Sequence, residues 1–368
     1  MPRQKKTQTQ EASTDQIIQA YLNDHKDEHY NFEKEQTYTV SSGSLLLDIE
    51  MNGGIRPGVV RATGVSEGGK TSCALAFARN FQKEDNRRVF YFKAEGRLTK
   101  EMLARSGVDQ DPKKWQEIKM NIYESVIDMI RHMVQNNPNE EQFMFIIDSV
   151  DALIPRGDLE KGANEAVKVA GGSLLCSAFL KRMSLALSTR GHICYIISQV
   201  RSKVSINAYV KEDPKLTNAS GGNALLHYSD WIMEFQERFQ KDLIREGSTK
   251  DSKIIGHKCG LVFKKSPNEK TGVKVEYPIR YGAENGESIW VEMEIMEMMK
   301  MWDMAKQKGA WITVDDSIAE EVLKATGTEF KKQHQGEENF RNYLTENKDI
   351  KDFMFKKFKD AYNTDYKA

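Results

Sequence analysis

The sequence predicts an α/β fold with a mostly parallel central sheet and helices packed on it. Three observations predict it. First, the runs Arg88–Phe92, Phe143–Asp148 and Ile193–Gln199 are continuously apolar over strand length, the pattern of strands buried on both faces. Second, each run follows a helical stretch, at 72–82, about 124–135 and about 170–188, so strands and helices alternate. Third, Gly64-Val65-Ser66-Glu67-Gly68-Gly69-Lys70-Thr71 is a complete G-x-x-x-x-G-K-[ST] string. It lies between the β-prone run 59–63 and a helix-forming stretch that opens at Ser72. Strand, glycine loop and helix in that order aim backbone N–H groups at an anion.

The remaining elements follow in chain order. Residues 1–13 are polar and rich in Lys, Gln and Thr, and are expected to be disordered. Ile17, Ile18, Tyr21 and Leu22 then mark one face of a helix over 15–25. So short a helix cannot bury that face alone, so it must dock on the body or on another subunit. Alternating strands and helices begin near residue 38. After about 228 the expected elements are consecutive strands at 230–236, 260–265, 275–281 and 289–294, which suit an antiparallel extension of the sheet. From about 295 the pattern is that of a small α/β appendage, ending in the amphipathic stretch 353–358. The expected organisation is a tail and helical oligomerisation arm over 1–37, a core over 38–286 and a C-terminal domain over 287–368.

Composition narrows the function classes. Fifty-four basic and 54 acidic side chains cancel, so no global field draws the protein to nucleic acid or membrane, and polyanion binding must come from local patches. Cys73, Cys176, Cys194 and Cys259 lie in or beside apolar segments without metal-ligand spacing, and read as core residues of a reducing compartment. No apolar run reaches 18 residues and no apolar leader opens the chain, so a cytoplasmic protein without membrane contact is expected.

The glycine string carries the chemistry. Its residues, with Ser72, are the expected triphosphate cradle; Lys70 reaches the β- and γ-phosphates of ATP, and the Thr71 hydroxyl ligates Mg²⁺. The three apolar runs end in Glu95, Asp148 and Gln199, where ligands of open α/β sheets sit. Asp148 suits a Mg²⁺-holding aspartate, or else an N-cap or turn residue. Glu95 suits a general base that polarises a water, or else a solvated carboxylate. Gln199 is too weak a base for catalysis and suits a γ-phosphate sensor that orders a neighbouring loop. That loop, about 200–219, carries Arg201, Lys203, Lys211 and Lys215 against Glu212 and Asp213, and closes on Gly221-Gly222-Asn223. A basic loop with a glycine hinge suits a phosphate backbone; the alternative is a solvated turn. A second loop, about 156–168, also carries mixed charge and ends at Lys168. Lys264 and Lys265 are plain surface lysines, or, if they face a neighbouring subunit's nucleotide, charge-neutralising groups acting in trans.

Taken in order, these landmarks resemble the RecA family of recombinases over about residues 38–345. The segment 40–49 is similar to the family's stretch ahead of the phosphate loop. Ala94-Glu95 lies at its catalytic glutamate, 147–153 at its aspartate strand and exit, and Gly221-Gly222-Asn223-Ala224-Leu225 at the close of its second DNA-binding loop. Tyr281-Gly282 resembles the position that stacks on adenine, and Gly309-Ala310-Trp311 resembles the C-terminal domain.

The resemblance implies a RecA-like P-loop ATPase core and a DNA-dependent ATPase. It implies an ATP-bound helical homo-oligomer that forms on single-stranded DNA, searches duplex DNA and exchanges strands. ATP would lie between subunits, within reach of Lys264, and the N-terminal helix would pack on the next subunit. A RecA-fold DNA motor or recombination mediator without strand exchange is the alternative.

The chain departs from the family at several points. Lys93 stands where an acidic residue is usual, and Thr99 and Met102 stand where Asp and Tyr are usual. Lys264-Lys265 lacks the usual one-residue spacing, and Tyr209 is near but not at the loop's aromatic position. Residues 329–368 carry nine basic and eight acidic side chains in place of a strongly acidic tail. These departures fit a phage-encoded or otherwise remote recombinase, which would act in the host cytoplasm.

Overall fold

A computed structural model describes residues 13–95, 98–159, 171–199, 222–247, 249 and 251–365. The strands, in chain order, are β1 (Gly58–Gly64), β2 (Arg87–Lys93), β3 (Trp115–Ile118), β4 (Gln142–Asp148), β5 (Ile193–Ile197), β6 (Trp231–Phe235), β7 (Leu243–Arg245), β8 (Ile254–Lys265), β9 (Lys274–Arg280), β10 (Ala305–Lys308), β11 (Trp311–Val314) and β12 (Gln333–Gln335). The helices are α1 (Thr14–Asp24), α2 (Leu45–Glu50), α3 (Lys70–Phe81), α4 (Lys100–Ser106), α5 (Tyr123–Gln135), α6 (Arg156–Leu159), α7 (Gly171–Thr189), α8 (Gly222–Tyr228), α9 (Val291–Met301), α10 (Asp316–Thr326), α11 (Gly336–Glu346) and α12 (Lys348–Asp365).

The large sheet runs β3-β2-β4-β5-β1-β6-β8-β7, with β9 also paired to β8. From β3 to β6 every pairing is parallel; β6–β8, β7–β8 and β8–β9 are antiparallel. The apolar runs explain this order. Strands β1 and β5 are buried along their whole length, which only a sheet covered on both faces allows. One face packs on α3 through Ala74, Phe77 and Phe81. The other packs on α5 and α7 through Val126, Ile130, Phe179 and Leu180. β1 lies between β5 and β6, so its carboxyl end opens onto a point where the chain order reverses, the usual place for a ligand.

One expected strand is a helix. The segment 289–294 enters α9, with only Ile289 in an isolated bridge to Ile279. Its Glu and Met residues are strong helix formers. The apparent alternation comes from burial all round, because Glu292, Met293, Glu294, Ile295 and Met296 are all buried. Strands β3 and β7 were not expected; at four and three residues they are too short to show a period.

The small sheet β10-β11-β12 is antiparallel and packs with α9 to α12 around Ile312, Val322, Phe340 and Met354. This cluster also takes in Leu45 and Ile49 of α2. Glu294, fully buried, accepts from Ser44 Oγ at 2.5 Å and from the Leu45 backbone N–H at 2.8 Å, so α9 supplies an acceptor for the N-terminus of α2. Burial pushes the Glu294 carboxyl up to about 8, against the pull of the Ser44, Leu45 and Leu46 hydrogen bonds.

Helix α1 has a full capping box from Ser13 and Gln16 but no buried residue. Ile17, Ile18 and Tyr21 are 60%, 49% and 61% exposed, so its apolar face finds no cover among the described residues. The four cysteines are all buried and unbridged. Among the described residues no helix is long and apolar enough to cross a membrane.

Candidate functional site

The phosphate loop leaves the carboxyl end of β1 and enters α3 at Lys70. Gly64 and Gly69 hold φ of +129° and +105°, which side-chain-bearing residues rarely adopt. A Cβ at Gly64 would lie 2.2 Å from the Phe235 carbonyl oxygen, and one at Gly69 would lie 2.9 Å from Cys259 Sγ. Both glycines therefore answer to β6 and β8 pressing against the loop as well as to the ligand side. Lys70 Nζ folds back to donate to the carbonyls of Gly64 at 3.0 Å and Val65 at 2.6 Å.

Three strand ends converge beside the loop. β2 and β4 pair in register up to Lys93 and Asp148, and the backbone N–H groups of Ala94 and Glu95 both donate to the Asp148 carbonyl, at 3.0 and 3.1 Å. Thr71 Oγ1 donates to Asp148 Oδ2 at 2.9 Å, and the Tyr91 hydroxyl donates to the same oxygen. Burial raises the Asp148 carboxyl above its ordinary range, with the Tyr91 and Thr71 hydroxyls opposing and the Glu95 charge adding to the rise. Glu95 Oε1 accepts from Ser149 Oγ and from Gln199 Nε2, the latter at 3.2 Å. The Gln199 backbone N–H donates to Asp151 Oδ2 at 2.7 Å. The Asp148–Ser149 peptide is cis.

Lys70, Thr71, Glu95, Asp148, Gln199 and Tyr281 thus line one cavity of about 870 Å³, large enough for a nucleotide. A triphosphate and Mg²⁺ fit what lines it. The loop offers a glycine cradle at a helix N-terminus, and Thr71 and Asp148 place two hard oxygens side by side. Among the described residues no cluster of three or more His, Cys, Asp or Glu could hold a metal unaided. Mg²⁺ does not need one, since it keeps waters and substrate phosphates as ligands.

Other expected residues fall elsewhere. Lys264 pairs with Glu234 at 3.2 Å. Lys265 Nζ donates to the carbonyls of Leu226 at 3.1 Å and His227 at 2.7 Å, at the end of α8. Lys168, Arg201, Lys203, Tyr209, Lys211, Lys215 and Gly221 lie outside the described residues; Gly222 and Asn223 open α8. Lys93 donates to the Leu98 carbonyl at 2.8 Å and pairs with Glu117 of β3 at 3.5 Å.

Tyr91, Ser149 and Asp151, which carry no expected role, each hold a site residue. A tyrosine inside a run buried on both faces was the available signal, since its hydroxyl must find a partner there.

A family model described as the RecA N-terminal domain matches residues 12–274. The RecA protein of Listeria ivanovii is 28% identical over 346 residues, covering 94% of this chain and 87% of its own. That of Lactiplantibacillus plantarum is 28% identical over 330 residues, covering 89% and 77%. The family match spans well over half of the chain and takes in the phosphate loop and all three strand ends that meet it; the chain belongs to the RecA family.

Proposed function

We propose that the protein is an ATP-dependent homologous recombinase, which forms a helical filament on single-stranded DNA and pairs and exchanges it with a homologous duplex. The observation that carries the reading is the 3.2 Å hydrogen bond from Gln199 to Glu95. It joins the carboxylate beside the phosphate loop to the residue ahead of the basic segment of about 200–219. Loss of the γ-phosphate would reach that segment through one side chain, which is how a nucleotide governs grip on a polyanion.

In this reading ATP is the substrate and residues 38–286 are the ATPase core. Thr71 and Asp148 would hold Mg²⁺, which when bound would supply charge neutralisation at the phosphate oxygens. Lys70 exchanges its loop carbonyls for phosphate oxygens. Glu95, oriented by Ser149 and Gln199, takes the proton of the attacking water. Arg201, Lys203, Tyr209, Lys211 and Lys215, with the Gly221–Asn223 closure and Lys168, contact DNA. Lys264 would exchange its Glu234 partner, or Lys265 its two α8 carbonyls, for the neighbour's nucleotide; Lys264, the better aligned of the two, is assigned that role. The uncovered face of α1 packs on the next subunit.

The test is a joint-molecule assay with homologous single-stranded and duplex DNA. ATP-dependent joint molecules support the reading. DNA-stimulated ATP turnover without them would favour a RecA-fold motor or mediator.

A further inference from the structure

Strand β1 carries a charge in its middle. Arg61 is 5% exposed and is the one buried arginine among the described residues. It shares a face of the strand with Val59, which belongs to the core cluster of Cys176 in α7 and Leu225 in α8. An aliphatic side chain would fill such a place without the cost of burying a guanidinium, which only its partners can offset.

Those partners each hold a residue of the site. Arg61 Nε donates to Ser198 Oγ at 3.0 Å, immediately before Gln199. Burial lowers the Arg61 guanidinium from its ordinary value, and the neighbouring Cys176, Asp151 and Glu234 oppose that. Asp151 Oδ2 accepts from the Gln199 backbone N–H at 2.7 Å. Glu234 Oε1 pairs with Lys264 at 3.2 Å and accepts from Gln236 Nε2 at 3.2 Å. Asp151 Oδ1 and Glu234 Oε2 are buried without a hydrogen bond. In the order β4-β5-β1-β6-β8 the strand of Arg61 stands between these two carboxylates, so its charge offsets both.

We propose that Arg61 is a positioning residue that links Gln199 to Lys264, through Ser198 and Asp151 on one side and Glu234 on the other. When Lys264 leaves Glu234 for a neighbouring subunit's nucleotide, Glu234 loses its ion pair and draws on Arg61. The hold of Arg61 on Ser198 and Asp151 weakens with it, and Gln199, seated on Asp151, is released to turn. The proposal rests on the assignments of Gln199 and Lys264 given above. Its new element is the buried side chain that joins them.

The experiment is calorimetric titration of the full chain on single-stranded DNA, in Mg²⁺, with the β,γ-imido analogue of ATP. Lys264→Ala, Gln199→Ala and the double variant are measured in the parent and again with Arg61→Met. Residues in one network act non-additively, so in the parent the double variant should depart from the product of the single effects by about twofold or more. Arg61→Met, a change that lost stability alone would not mimic, should bring that factor to about one. Should Arg61→Met not fold, Ser198→Ala and Arg61→Lys, which disturb the Arg61–Ser198 contact and keep the charge, should each reduce the factor. Independent effects in the parent, or a factor undiminished when Arg61 or Ser198 is replaced, would overturn the proposal and leave both assignments standing. Unchanged affinity in Lys264→Ala alone would overturn the assignment in trans, and this proposal with it.

Discussion

Replacing Glu95 with glutamine exchanges one carboxylate oxygen for an amide nitrogen. Oε1 is already engaged, by Ser149 Oγ and by Gln199 Nε2 at 3.2 Å. The glutamine carbonyl can take over both contacts, and its NH₂ then occupies the position of Oε2. The fold changes little, because two hydrogen bonds to a charged group become neutral ones, a difference of about 1 kcal/mol each. Catalysis changes greatly, because no lone pair of a base remains for the attacking water. General base catalysis contributes roughly 10²–10⁴ in rate, or about 3–5 kcal/mol in the barrier. ATP affinity should stay within a few fold, since the groups assigned to the phosphates are Lys70, Thr71 and the loop backbone. Phosphate release with single-stranded DNA, and equilibrium nucleotide binding, are to be measured on the same preparation. Turnover within tenfold of the parent would refute Glu95 as the base; loss of binding alongside turnover would refute the separation of binding from chemistry.

Other substitutions test neighbouring parts of the account. Lys70→Ala removes the phosphate-reaching ammonium and should abolish ATP binding, and unchanged affinity in a titration would sink the cradle assignment. Lys264→Ala should lower DNA-stimulated turnover several-fold and recover in filaments mixed with a Glu95→Gln subunit; absence of recovery would argue against action in trans. Glu294 gives a pH dependence of stability. Its folded value of about 8 lies above the ordinary 4.5, so between those values the folded state keeps a proton that the unfolded state has lost. Stability should therefore fall as pH rises through that window and level off above it. Glu294→Gln should flatten the slope of urea midpoints against pH, and an equal slope in parent and variant would contradict the burial argument.

The parallel half of the sheet was legible because its strands are buried on both faces, and unbroken apolar runs leave few other assignments. The phosphate loop was legible because its glycines answer a local backbone demand, visible at Gly64 and Gly69. The antiparallel half was harder. Helix α9 alternates Glu and Met at its start, which mimics a strand, and only its burial within the C-terminal cluster shows otherwise. The contacts that tune the site were hidden for a different reason. Tyr91 to Asp148, Ser149 to Glu95 and Glu294 to Ser44 join residues 57, 54 and 250 positions apart. Such pairings follow from sheet order and domain packing, which no local pattern encodes.

Electron microscopy of the full chain with single-stranded DNA and a non-hydrolysable ATP analogue tests the central claim most directly. The account predicts nucleotide-dependent helical filaments on the DNA, with α1 of one subunit seated on the next. Closed hexamers alone, or filaments that form equally well without nucleotide, would contradict it.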